Sequence, residues 1–110
     1  MSNETQRSNI MELQAPKFDL GNVVITPAAL EKIQQSEQGE GPSAAQFLMR
    51  HAYGDWGDVG DEDRGANATV LEEEGRLMSV YHLGGRTAQK IWIITEWDRS
   101  VTTILLPEEY

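Results

Sequence analysis

The hydrophobic and polar positions of residues 90–110 predict a β-hairpin. Residues 90–97 are rich in β-branched and aromatic side chains, and the apolar pattern resumes over residues 101–106. Between them lie Asp98, Arg99 and Ser100, polar residues that are typical of a tight turn. Pro107 has no N–H to donate to a β-ladder, so the second strand is expected to end before it.

A further strand is predicted over residues 76–83, where apolar side chains alternate between two faces. A turn at residues 84–87 would connect this strand to the hairpin. Three consecutive strands joined by short turns form an antiparallel meander. Residues 91–94 are apolar on both faces, as expected of the middle strand.

Two capping signals predict helices in the N-terminal half. Thr26 followed by Pro27 fits an N-cap with proline at the first helical position. Ser43 and Gln46 have the spacing of a capping box, which opens a second helix over about residues 44–53. Both helices are therefore predicted from a few adjacent residues.

A third helix is predicted over about residues 62–74, with acidic residues in its first turn and Gly75 as its left-handed cap. The preceding loop is rich in Gly and Asp, which are also common in calcium loops, and such a loop would begin at Asp61. Its fifth and sixth positions would be Gly65 and Ala66, which do not fit that loop. No metal and no cofactor are predicted.

Helices first and a meander last predict an α+β fold, with about three helices packed on a three- or four-stranded antiparallel sheet. Residues 18–110 would form a single α+β domain, and the polar, aperiodic residues 1–17 a flexible leader. A short strand at residues 21–25 is the candidate fourth strand. It could cover the edge left by residues 101–106, or a homodimer could form there through the sheet edge.

Composition narrows the classes of function. The chain has 110 residues and a formal net charge of -9. It contains no cysteine, so thiol chemistry is excluded. No apolar run is long enough to span a membrane, and a cytoplasmic protein with no membrane contact is expected. Residues 55–74 carry eight acidic residues against one arginine. This segment disfavours nucleic acid as a partner and favours a protein with a basic surface.

The acidic loop supplies the predicted binding residues, although an acidic run can also be an ordinary solvated face. Trp56 would either anchor the loop in the core or present an aromatic ring to a partner. The carboxylates around it are the expected contacts with a basic surface. The binding candidates are Asp55, Trp56, Asp58, Asp61 and Asp63.

An enzymatic alternative centres on His51, which falls on the apolar stripe of the second helix. A half-buried imidazole can act as a general acid or base, or it can be a hydrogen-bonded structural group. With Arg99 and Thr103 it could serve a metal-independent endoribonuclease, since the layout is similar to that of small barnase-like and RelE-like toxins. The scarcity of basic residues argues against RNA as a substrate.

The chain carries a specific pattern of residues at His51, Gly54-Asp55-Trp56-Gly57, Asp63, Asn67, Ser79, Tyr81 and the segments 90–96, 98–100 and 102–107. In this pattern, over residues 20–110, the sequence resembles a family of small bacterial proteins often called plasmid-related proteins. The resemblance implies a mobile-element context, in which small acidic proteins often act on host or competitor machinery. Together with the small single domain, the acidic segment and the lack of a convincing catalytic set, it predicts a non-enzymatic accessory or inhibitory binding protein, with anti-restriction or anti-defence as its role. Members sometimes bear a type I restriction methyltransferase label, but this chain has neither a Pro-Pro-Tyr motif nor a glycine-rich loop after a strand.

Overall fold

A computed structural model describes residues 15–59, 75–84 and 89–110 of the chain. Those residues form an α+β fold of two helices and four strands, followed by a short 3₁₀ turn. In chain order the elements are β1 (Asn22–Ile25), α1 (Pro27–Gln38), α2 (Ala44–Ala52), β2 (Leu77–His82), β3 (Lys90–Thr95), β4 (Val101–Leu105) and the 3₁₀ turn (Pro107–Glu109).

The strands form one sheet in the order β1-β4-β3-β2. The predicted meander is confirmed, because β2 pairs antiparallel with β3 and β3 pairs antiparallel with β4. The expectation of a purely antiparallel sheet is wrong, because β1 runs parallel to β4 and the sheet is mixed. Alternation of side chains along β1 is the same in either direction, so only the long-range pairing sets its orientation.

Strand β1 covers the β4 edge that the sequence left open. The Asn22 N–H donates to the Ser100 carbonyl at 2.9 Å, and the Thr26 N–H donates to the Ile104 carbonyl at 3.0 Å. One residue before the predicted domain start, the Lys17 N–H donates to the Ala52 carbonyl at 2.7 Å. The described residues do not include the third predicted helix, residues 1–14 of the predicted leader or most of the predicted 84–87 turn.

Both helices pack on one face of the sheet. The main core joins α1 and α2 to alternate residues of the meander strands, and its large members are Ile33, Phe47, Tyr81, Ile91, Ile93 and Ile104. Within the described ranges, neither helix is long and apolar enough to cross a bilayer. The layer arrangement places the inward side of α2 directly over β2 and β3, where the candidate histidine lies.

The helix starts are confirmed as predicted. Thr26 accepts a hydrogen bond from the Ala29 N–H at 3.1 Å. Ser43 forms a reciprocal capping box, in which the Gln46 N–H donates to Ser43 Oγ at 3.2 Å and the Ser43 N–H donates to Gln46 Oε1 at 2.7 Å. Each pair satisfies backbone groups that the first helical turn would otherwise leave unbonded.

Ser43→Ala is expected to lower the free energy of unfolding by about 1 kcal/mol, because it removes the acceptor for an N–H at the start of α2. Urea denaturation followed by circular dichroism measures the loss. The control is Ser43→Thr, which keeps a hydroxyl and should stay within about 0.5 kcal/mol of the wild type. Equal losses in the two variants would show that the cap is not what stabilises this helix start.

Candidate functional site

His51 lies on the inward side of α2 and has no exposed surface. Its ring reaches across to the sheet, where Nδ1 lies 2.5 Å from Ser79 Oγ and Nε2 lies 2.9 Å from Thr95 Oγ1. Ser79 and Thr95 are also fully buried. Both ring nitrogens are therefore engaged by hydroxyls of the protein interior.

The hydrogen bonds continue from Thr95 through the sheet. Thr95 Oγ1 lies 2.7 Å from Thr102 Oγ1, and Thr102 Oγ1 donates to the Leu20 carbonyl at 2.7 Å. We call this chain of Ser79, His51, Thr95, Thr102 and the Leu20 carbonyl the buried hydroxyl network. It ties α2, three strands and the segment before β1 to one another.

The Leu20 carbonyl at the end of the network determines which atom is the donor in each of its hydrogen bonds. A carbonyl can only accept, so the Thr102 hydroxyl proton is committed to Leu20. Thr95 must then donate to Thr102, and its oxygen must accept the proton on His51 Nε2. His51 is consequently the neutral tautomer with hydrogen on Nε2, and its bare Nδ1 accepts from the Ser79 hydroxyl.

Burial, with a smaller contribution from the positive charge of Arg99, lowers the pKa of His51 to about 3. Two aromatic rings enclose the imidazole edge-on, with centroid distances of 5.1 Å for Phe18 and 5.7 Å for Trp56. A general base must reach its substrate and hold a proton near neutral pH. In this conformation His51 does neither, and its contacts are those of a structural histidine.

Neither of the other two residues of the enzymatic alternative forms a hydrogen bond with His51, although Arg99 is close enough for its charge to act on the imidazole. The Arg99 backbone is left-handed with φ of 60°, and its guanidinium donates to the carbonyls of Gly75 and, at 3.1 Å, Glu96. Thr103 follows Thr102 along β4, so its side chain points to the opposite sheet face from the His51 network. The fold does not bring His51, Arg99 and Thr103 together around one cleft.

Trp56 anchors the acidic loop, which is the first of its two predicted roles. Its side chain is 5% exposed and stacks on Phe18 with ring centroids 6.1 Å apart. Beside it, Val80 donates to the Trp56 carbonyl at 3.0 Å, and the Asp58 N–H donates to the Val80 carbonyl at 2.7 Å. Gly57 has φ of 73° and sits against Val80, where a Cβ would clash with the carbonyl oxygen. The loop is held against the edge of β2.

The loop presents two carboxylates to solvent. Asp55 is 53% exposed and forms an ion pair with Arg50 at 2.7 Å. Asp58 is 58% exposed and lies 2.8 Å from His82 Nε2 and 3.9 Å from Lys90 Nζ. The predicted binding residues Asp61 and Asp63 lie outside the described part of the chain.

A shallow cleft of about 330 Å³ lies beside this loop and is lined by Arg50, Gly57, Asp58, Val80, Tyr81 and His82. The hydroxyl of Tyr81, one of these lining residues, donates to the Asp55 carbonyl at 2.5 Å. Burial raises the pKa of Tyr81 to about 12, so the phenol stays protonated and keeps this bond at neutral pH. Across residues 15–59, 75–84 and 89–110, no three His, Asp or Glu side chains gather as metal ligands.

The sequence pattern identified His51 but did not predict that Ser79 would bond to its ring or that Thr102 would extend the network from Thr95. Ser79 gave a signal, because it interrupts the apolar face that Leu77 and Tyr81 share on β2. A polar residue on such a face needs a partner, and so does a histidine on an apolar helix stripe. The two signals together would have predicted their contact.

No protein-family model matches this chain, and no curated protein or solved structure matches it either. The resemblance to plasmid-related proteins therefore stays a prediction that rests on the sequence positions named above. Function has to be inferred from the charge, burial and contacts of the described residues.

Proposed function

We propose that this protein is a non-enzymatic binding factor that engages a basic surface on another protein through its acidic segment, residues 55–74. The observation that supports this best is a firmly anchored loop that exposes Asp55 and Asp58 at the start of that segment. In the mobile-element setting that the resemblance implies, the partner is a host or competitor protein whose activity is inhibited, with restriction enzymes as one such class.

The anchoring of the loop supports a binding role because it lowers the entropic cost of association. The backbone on either side of Gly57 is bonded to Val80, and Trp56 is packed beneath it. Groups that are already ordered lose less conformational freedom when a partner docks. The two described carboxylates are thus presented from a pre-organised surface.

The ion pairs that Asp55 and Asp58 make within the protein do not oppose this role. The partners in these ion pairs, Arg50, His82 and Lys90, are about half exposed, and exposed pairs typically contribute less than about 1 kcal/mol. A basic partner can therefore exchange its own Lys or Arg for these contacts at low cost. Residues 55–74 carry eight acidic residues against one arginine, and this negative charge would also accelerate encounter with such a partner.

The endoribonuclease alternative receives less support. Its proposed base, His51, is enclosed and neutral, and Thr103 faces away from it. RNA binding depends on neutralising phosphates with Lys and Arg, whereas this chain has a formal net charge of -9. A binding role needs no such gathering of catalytic groups.

The triple reversal Asp58→Lys, Asp61→Lys and Asp63→Lys is expected to weaken partner capture by at least about tenfold, since it inverts the charge that meets the basic surface. Capture from bacterial lysate on the tagged full chain, with protein identified by mass spectrometry, measures this. Circular dichroism verifies folding. The matched control reverses Glu31, Glu37 and Glu40, which are exposed residues in or next to α1, and should capture the partner normally.

Undiminished capture by a folded triple variant would remove the acidic segment as the binding surface. The same lysate eluates, examined on a nucleic-acid gel, test the alternative. RNA cleavage by the wild type that a folded His51→Ala variant lacks would favour the ribonuclease over the binding protein. Capture that weakens as salt rises is the further expected result, because exposed charges are screened.

A further inference from the structure

Among the described residues, strand β1 is at the edge of the sheet and pairs with another strand on one side only. The N–H groups of Asn22 and Thr26 point to β4, where they donate to Ser100 and Ile104. Backbone groups alternate in direction along a strand, so those of Val23 and Ile25 point away from the sheet. Among the described residues, no backbone group pairs with β1 on that side. Two N–H and two carbonyl groups are left to receive another strand.

The strand also lacks the features that usually block such an edge. Its sequence is Asn-Val-Val-Ile, without proline or a charged residue. Val23 is 46% exposed and Val24 is 49% exposed, and successive side chains project to opposite faces. An added strand would therefore gain apolar contacts on both faces as well as ladder hydrogen bonds.

Negative charge lies at both ends of β1. At its start, the exposed Asp98 accepts from the Ser100 N–H at 3.1 Å and the Ser100 hydroxyl at 2.6 Å, and the Ser100 carbonyl binds Asn22. At its end, Glu109 Oε1 accepts from the Thr26 hydroxyl at 2.7 Å and the Leu106 N–H at 2.8 Å. These hydrogen bonds lower the pKa of both carboxyl groups and hold them in place.

We propose that the open edge of β1 receives an extended, basic segment of the partner protein as a fifth strand. Lysine or arginine at the ends of that segment would meet Asp98 and Glu109, and its backbone would pair with Val23 and Ile25. This inference rests on the proposed function and adds a second contact surface. It lies at the opposite edge of the sheet from Gly57, which bridges β2.

The same charges argue against a second copy of the chain at this edge. A twofold dimer would pair β1 with β1 in antiparallel fashion, which brings the start of one strand to the end of the other. Asp98 of one copy would then approach Glu109 of the other, and like charges across paired strands are destabilising. A basic segment has the opposite relation to both carboxylates.

The test uses the full chain and two labelled peptides, one alternating Lys and Val and the other alternating Glu and Val, with binding followed by fluorescence anisotropy. Saturable binding of the lysine peptide and none of the glutamate peptide is expected. Val23→Pro removes an outward N–H without taking a bond from β4, and should weaken binding by about tenfold or more. Its control is Val23→Thr, a β-branched residue that keeps the N–H and should bind within about twofold of the wild type.

Asp98→Asn combined with Glu109→Gln keeps the hydrogen-bond acceptors and removes both charges. It should weaken lysine-peptide binding by about three- to tenfold and reduce its salt dependence. Should Val23→Pro fail to fold, NMR of the wild type gives the same information. Addition of the lysine peptide should then shift and protect the amides of Val23 and Ile25 while leaving that of Val24 unchanged.

Three results would overturn the inference: no saturable binding below about 1 mM, equal binding by folded Val23→Pro and Val23→Thr, or amide shifts located elsewhere. Light scattering that detects a dimer lost in Val23→Pro would assign the edge to a second copy instead. Lysate capture separates this failure from failure of the proposed function. A partner retained by Val23→Pro but lost by the acidic-segment reversal would leave the function standing and remove the edge from it.

Discussion

Acidification from pH 7 to pH 5 is expected to lower the free energy of unfolding by about 2 kcal/mol through His51 alone. In the unfolded chain this imidazole has its ordinary pKa of 6.5, whereas burial lowers the pKa of the folded form to about 3. Below pH 6.5 the His51 imidazole is therefore protonated in the unfolded state but not in the folded state. The stability is fully present above pH 6.5, and it falls progressively until the folded pKa is reached.

Urea denaturation at pH 7, 6 and 5, followed by tryptophan fluorescence, measures this slope. His51→Gln should flatten it, because the titrating group is gone. His82→Gln is the matched control, since His82 is half-exposed beside Asp58 and outside the buried network. An unchanged slope in His51→Gln would assign the pH dependence to other groups. NMR of the His51 ring gives an independent reading, since its resonances should not titrate between pH 7 and pH 5 in the folded protein.

Thr95→Val is expected to lower the free energy of unfolding by about 2 kcal/mol at pH 7. The substitution keeps the side-chain shape and removes the hydroxyl between His51 Nε2 and Thr102. A shift of the His51 proton to Nδ1 would not compensate for the lost hydrogen bond at Nε2. A bare Nε2 would then lack a donor, just as a protonated Nε2 lacks an acceptor, and either way a buried polar atom is left unsatisfied.

Thr103→Val is the matched control for this change. It makes the same chemical substitution on the neighbouring strand, but Thr103 lies on the other sheet face, opposite Ile94 and Val24. Its cost should stay below about 0.5 kcal/mol. Urea denaturation of Thr95→Val and Thr103→Val side by side measures the difference between their free energies of unfolding. Equal stabilities would mean that the buried hydroxyl network does not stabilise the fold.

Local signals in the sequence were sufficient for much of the fold. The caps at Thr26 and Ser43 and the turn at residues 98–100 each depend on chemistry within a few residues, and all three are present in the structure. Side-chain alternation likewise located the three meander strands to within two residues of their observed ends. Such features are encoded locally because the interacting groups are already neighbours along the chain.

The sequence by itself determined the α+β layout, the helix starts, the meander and the concentration of acidic residues in one segment. Tertiary structure alone decided that β1 joins β4 in parallel, that Trp56 lies beneath its loop, and that Thr103 faces away from His51. It also decided the role of His51, whose hydroxyl partners lie 28 and 44 positions away in the sequence. The physical reason is that burial and hydrogen-bond satisfaction depend on which distant strands meet, whereas periodicity and capping depend on near neighbours.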